Sequence, residues 1–160
     1  MNEPPLEAAY RAYFPLIREK CRRMLGDSEE AKDVAQETFI RLWQGGQGSE
    51  GPRQVSAWVY RTSTRLAIDC LRRRRTREGL APEEEQKAPD LEESLHLRRQ
   101  LRQLAGEVPA DELEVVLLSR LDGMTHEEVA EVASVSDRTV RRMLRRFDER
   151  LTRLREELSA

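Results

Sequence analysis

Residues Val55 to Arg75 read VSAWVYRTSTRLAIDCLRRRR. Wound as a helix at about 100° per residue, the stretch separates into two faces. Val55, Val59, Thr62, Leu66 and Cys70 form a continuous stripe fit for burial. Arg61, Arg65 and Arg72 fall opposite, with Trp58 and Ile68 beside them, and the stretch ends in four arginines, Arg72 to Arg75. One face suits a protein interior and the other an anion. The length of the basic face fits a polyanion of regular spacing better than one small ligand. A surface helix with a solvated basic face has the same pattern, and this stretch alone leaves both readings open.

The rest of the chain is read outward from that helix. Its 160 residues make one ordinary domain or two small ones. Only 5% are aromatic and 36% are charged, so each apolar core is small, which favours helices packed in threes and fours. Alternating apolar–polar runs are absent, and the expected class is all-α. No apolar run is long enough to span a membrane, and the opening MNEPPLEAAY has no apolar signal segment. Cys21 and Cys70 sit in helical patterns and read as reduced packing residues. A cytoplasmic protein with no membrane contact of its own is expected.

The net charge of −2 conceals a segregation. Residues 1–77 carry a net +5, residues 78–93 a net −6 and residues 94–160 a net −1. The middle segment, EGLAPEEEQKAPDLEE, has two prolines, a glycine and no aromatic. It reads as a flexible acidic linker between two small helical domains. Its charge also allows it to fold back on the basic modules and compete with a nucleic acid.

Ahead of the basic helix, Leu6 to Leu25 has helical spacing, with a kink or break expected at Pro15 and a glycine stop at Gly26. Asp27 and Ser28 offer caps for a helix from about Glu29 to Trp43. Ala31, Val34, Ala35, Thr38 and Leu42 make its inner stripe, and Asp33, Gln36, Glu37 and Ile40 lie outside it. Phe39 reads as core. Trp43 is open between core and a protein-docking face. Gln44 to Gln54 has four glycines and Pro52 and reads as a flexible loop.

Beyond the linker, Leu95 to Leu104 reads as a helix broken by Pro109, followed by Leu113 to Leu121 with a stop at Gly123. Then comes THEEVAEVASVSDRTVRRMLRR, Thr125 to Arg146. Thr125 and Glu128 form a capping box, Ala130 is small enough for a close helix crossing, and Val129, Val135 and Val140 are spaced to fill the angle. Ser134 occupies the turn, where glycine is usual, and Ser136 caps the second helix. This is the helix-turn-helix pattern, whose second helix enters the major groove. That helix presents Arg138, Arg141, Arg142, Arg145 and Arg146, while Val140 and Leu144 turn inward. Phe147, Leu151, Leu154 and Leu158 continue the apolar seam.

Taken together, the chain resembles the extracytoplasmic-function (ECF) sigma factors of bacterial RNA polymerase. GDSEEAKDVAQETFIRLW resembles the family's polymerase-binding helix, and AWVYRTSTRLAIDCLRRRR the segment that engages and opens the −10 element. The C-terminal module resembles the domain that reads the −35 element. The resemblance implies a polymerase-binding set of Asp33, Gln36, Glu37 and Trp43, and −10 contacts from Arg61, Arg65, Arg72 and Arg73. It further implies a base-cradling loop at Gln44 to Gln54 and −35 contacts from Arg138, Arg141, Arg142, Arg145 and Arg146. Arg65 stands where the family usually has asparagine, and Thr62 where it usually has an aliphatic residue. The implied domains are 1–77 for polymerase binding and −10 recognition, 78–93 as linker and 94–160 for −35 recognition. The implied partners are core RNA polymerase, promoter DNA and an anti-sigma factor.

No catalysis and no cofactor are expected. His96 and His126 are the only histidines, no Cys/His metal spacing exists, and no nucleophile–base pair can be named. The alternative is a stand-alone helix-turn-helix regulator that binds an operator as a dimer.

Overall fold

The computed structural model describes residues 5–45, 51–77 and 100–159. The acidic segment 78–93 and the glycine-rich residues 46–50 lie outside the described residues. Seven described helices appear in order: α1 Pro5–Leu25, α2 Ser28–Gly45, α3 Pro52–Arg77, α4 over 100–107, α5 Ala110–Arg120, α6 His126–Ala133 and α7 Asp137–Ser159. Among the described residues there is no strand, as the all-α reading expected. α1, α2 and α3 pack against one another, and α5, α6 and α7 do the same. α3 also meets α5 and α6, so the two helical modules touch.

Local chemistry accounts for most helix ends. Gly26 adopts a left-handed φ of 79° and stops α1. Asp27 Oδ1 then accepts from the backbone N–H groups of Glu29 at 2.9 Å and Glu30 at 3.2 Å, capping α2. α1 runs through Pro15 without the break that the sequence allowed. The Tyr10 and Phe14 rings stack at 4.6 Å, and both rings lean on buried Phe39 of α2, so aromatic packing braces the turn that proline deprives of a donor.

α3 starts at Pro52, earlier than the amphipathic stripe suggested, and Gln44–Gly45 belong to α2. Proline suits a first helical position because the amide it lacks has no partner within the helix. The Gly51 N–H donates to Gln54 Oε1 at 3.0 Å, closing the start of the helix.

Val55, Val59 and Cys70 are buried as expected, whereas Thr62 and Leu66 are half-buried. Ser63, Thr64, Ala67, Leu71 and Ile68 are buried as well. Ile68 was expected among the arginines on the open side. The reason is tertiary: α1 and α2 cover one side of α3, and α5 and α6 approach another.

Both thiols are buried and unpaired with each other. Burial pushes the Cys21 thiol up to about 12 and raises that of Cys70, whose Sγ donates to Glu30. Neither cysteine should react with a thiol reagent at neutral pH in the native protein, and both should react once denaturant unfolds the chain. Rapid labelling of Cys21 before unfolding contradicts this core.

Candidate nucleic-acid interface

The second module builds its basic surface on a rigid corner. Thr125 Oγ1 accepts from the Glu128 N–H at 3.2 Å, and Glu128 Oε1 accepts from the Thr125 N–H at 3.1 Å, completing the expected capping box. These bonds hold the Glu128 carboxyl below the usual carboxylate range. Ser134 ends α6 with φ 56° and ψ 43°, the left-handed conformation the turn requires. The Val135 N–H then reaches back to the Ala130 carbonyl at 3.0 Å, and Ser136 Oγ accepts from the Thr139 N–H at 3.1 Å to start α7. Val129 and Val140 are fully buried in the corner, and Val135 is half-buried.

On α7, Leu144 and Phe147 turn inward, and Arg138, Arg141, Arg142, Arg145 and Arg146 are all exposed. Arg141 also pairs with Asp137 at 3.0 Å on the surface. The neighbouring groove is lined by Arg120, His126, Arg141 and Arg145, but also by Asp148, Glu149 and Glu156. Its mixed sign borders the basic face rather than extending it.

The first module carries two further surfaces. On α2, Asp33, Gln36 and Ile40 are exposed, and half-buried Glu37 pairs with Arg41 at 3.1 Å. Phe39 is wholly buried, as read, whereas Trp43 is 48% exposed with its ring 6.2 Å from Tyr10. The question left open for Trp43 is thus answered toward the surface. Together these residues make a mixed apolar and acidic patch on one helix face.

The basic face of α3 is not open. Arg61 Nε donates to Glu114 Oε1 and Arg65 Nε to Glu114 Oε2, both at 3.0 Å. Arg72 Nε donates to the Ala105 carbonyl at 2.9 Å and its terminal nitrogen to the Val108 carbonyl at 3.2 Å. Arg73 remains exposed near Cys70. Arg53, at the start of α3, pairs with Glu131 of α6. Three of the four arginines assigned to the −10 element therefore touch the second module.

Sequence reasoning missed a buried ion pair and a buried acid at this contact. Lys20 of α1 is 5% exposed and donates to Thr64 Oγ1 at 2.5 Å, Ser63 Oγ at 3.3 Å, the Tyr60 carbonyl at 3.1 Å and Asp122 Oδ2 at 2.7 Å. Burial pushes the Lys20 ammonium below the ordinary lysine range and the Asp122 carboxyl above its usual value, while each pulls the other back. Glu114 is the second, a buried carboxylate inside an otherwise apolar run. Its only signal in the sequence is an acid among Leu113, Val115, Val116, Leu117 and Leu118.

Two family models match the chain. Sigma-70 region 2 covers residues 9–77, and Sigma-70, region 4 covers residues 98–146. The ECF RNA polymerase sigma factor SigW of Bacillus subtilis is 29% identical, over 87% of this chain and 82% of its own length. The ECF RNA polymerase sigma factor SigE of Mycolicibacterium smegmatis is 28% identical, over 92% of this chain and 60% of its own length. The RNA polymerase sigma factor CarQ of Myxococcus xanthus is 26% identical, over 95% and 90% respectively.

The left-handed Ser134 is the strained point of the helix corner. Replacing it by glycine, which accepts positive φ freely, should stabilise the second module by about 1 kcal/mol. Thermal unfolding reads this as a higher midpoint for S134G, and a lower midpoint contradicts it.

Proposed function

We propose that this chain, which belongs to the extracytoplasmic-function (ECF) sigma factors of bacterial RNA polymerase, carries core polymerase to promoters through three separate surfaces. Residues 1–77 bind polymerase and the −10 element, residues 94–160 read the −35 element, and residues 78–93 tether them. Asp33, Gln36, Glu37 and Trp43 face the polymerase. The half-exposed Trp43 beside acids gives that surface an aromatic anchor with a charged rim.

Arg61, Arg65, Arg72 and Arg73 hold the −10 strand, and capture of unstacked bases with phosphate contacts favours melting. Arg138, Arg141, Arg142, Arg145 and Arg146 grip the −35 duplex, where arginine holds phosphates and forks onto guanine edges. The observation that carries the reading is the row of exposed arginines on the second helix of a capped helix-turn-helix, in one chain with the acidic–aromatic face of α2. Tethering lets weak contacts at both elements add through effective concentration.

The chain performs no catalysis of its own in this reading. It works in the cytoplasm, and no described helix is long and apolar enough to cross a membrane. An anti-sigma factor is its expected regulator. The stand-alone operator-binding alternative draws no support from the matched families.

Purified with core polymerase, the chain should start RNA synthesis at a defined promoter. R141E/R142E should abolish dependence on the −35 element and leave polymerase binding intact. W43A should weaken polymerase binding about tenfold or more while sparing duplex binding. Loss of both activities in either variant contradicts separate surfaces. Duplex binding should also weaken with salt, at a log–log slope of about −0.9 per phosphate contacted.

A further inference from the structure

One acid stands at the head of the arginine row on α7. Arg138, Arg141, Arg142, Arg145 and Arg146 are exposed, and Asp137 occupies the first helical position ahead of them. The Arg141 Nε lies 3.0 Å from Asp137 Oδ2, one helical turn away on the same side of α7. The two side chains are 66% and 44% exposed, so the pair adds little to stability. Asp137 is not the cap of the helix, because Ser136 Oγ takes the Thr139 N–H at 3.1 Å. An acid in the first turn suits the helix dipole, but water and salt weaken that effect at an exposed site. Against phosphates, a carboxylate on this face is repulsive. Its place there is better explained by what it does to Arg141 and to a base.

We propose that Asp137 is a further specificity-determining residue of the −35 contact: it holds the Arg141 guanidinium in place to fork onto a guanine, and its second oxygen accepts the N4 amine of a neighbouring cytosine. The inference deepens the reading of α7 as the −35 helix and rests on it.

The geometry suits both contacts. The N-terminal residues of a recognition helix are the ones that reach base edges, and Asp137 and Arg141 lie in its first two turns. Pairing through Nε leaves the two terminal nitrogens of Arg141 as a fork of donors, and guanine offers N7 and O6 as matching acceptors in the major groove. A long side chain that is already anchored loses less freedom when it binds. Arg138, Arg142, Arg145 and Arg146 have no such acid partner among the described residues. On Asp137, Oδ2 faces the guanidinium and Oδ1 is left to accept from a donor. Cytosine presents an amine in the major groove, whereas thymine and guanine present acceptors that a carboxylate repels. Attraction to one base and repulsion from others both widen the discrimination.

The test uses the full chain in complex with core polymerase and a library of promoter-length random-sequence duplexes. Bound duplexes are recovered and sequenced for the parent, D137A, D137N, R141A and D137A/R141A. The parent should favour guanine at one −35 position and cytosine at a neighbouring one. D137A should lower both preferences about tenfold, while the other −35 positions keep theirs. An amide forks onto adenine, so D137N should move the cytosine preference toward adenine. R141A and D137A/R141A should share one residual preference at the guanine position, because Asp137 acts there through Arg141.

An equal loss at every −35 position in D137A overturns the proposal, since a merely structural residue would produce it. If the parent selects a −35 element and D137A selects the same one with the same preferences, the role of Asp137 falls and the −35 reading stands. If the parent selects no −35 element, that reading falls and this inference falls with it.

Discussion

One ammonium group sets the arrangement of this molecule. Lys20 reaches from α1 across α3 to Asp122, in the turn that follows α5. A charge taken out of water at such depth is tolerated only when its hydrogens are satisfied and an opposite charge faces it. Lys20 has both: two hydroxyls and a carbonyl from α3, and the carboxylate from the second module. That pairing ties the second module to α1 and α3. Once it is there, Glu114 stands over Arg61 and Arg65, and the carbonyls of Ala105 and Val108 over Arg72.

Two kinds of contact hold the halves of the chain. Within each module the cohesion is apolar and aromatic: Ile17, Met24, Phe39 and Leu42 in the first, and Leu113, Leu118, Val129 and Val140 in the second. Such packing is non-directional and strong, and it survives changes of partner. Between the modules, the buried apolar residues of both halves join one core, and ionic and hydrogen-bonded contacts, several with part-exposed side chains, lie beside it. Contacts of that kind gain little net energy and exchange readily for a partner of similar charge.

Much of the architecture was legible because local rules and tertiary needs agreed. Gly26, Asp27, Thr125, Glu128 and Ser136 each do what their chemistry prescribes at a helix end. The inner stripe of α2 and the arginine row of α7 follow from helical periodicity, which is a property of the segment alone. The failures lie where a second segment intervenes. The spacing of α3 suggested an open basic face, but periodicity cannot say which remote carboxylate will meet an arginine. Lys20 looked like one more charged residue in an amphipathic helix, and its burial depends on Asp122, 102 positions along the chain. Ile68 was placed outside by its angle on the wheel and is buried because α3 is covered on more than one side. Pro15 was expected to disturb α1, and aromatic neighbours from α2 hold the helix through it.

The account therefore turns on whether the α3 face changes hands. Energy transfer between a donor on α1 and an acceptor on the C-terminal half of α7 reads the separation of the modules directly. The free chain should show high transfer, and addition of core RNA polymerase should lower it sharply as the second module leaves α3. High transfer that persists in the polymerase complex contradicts the account.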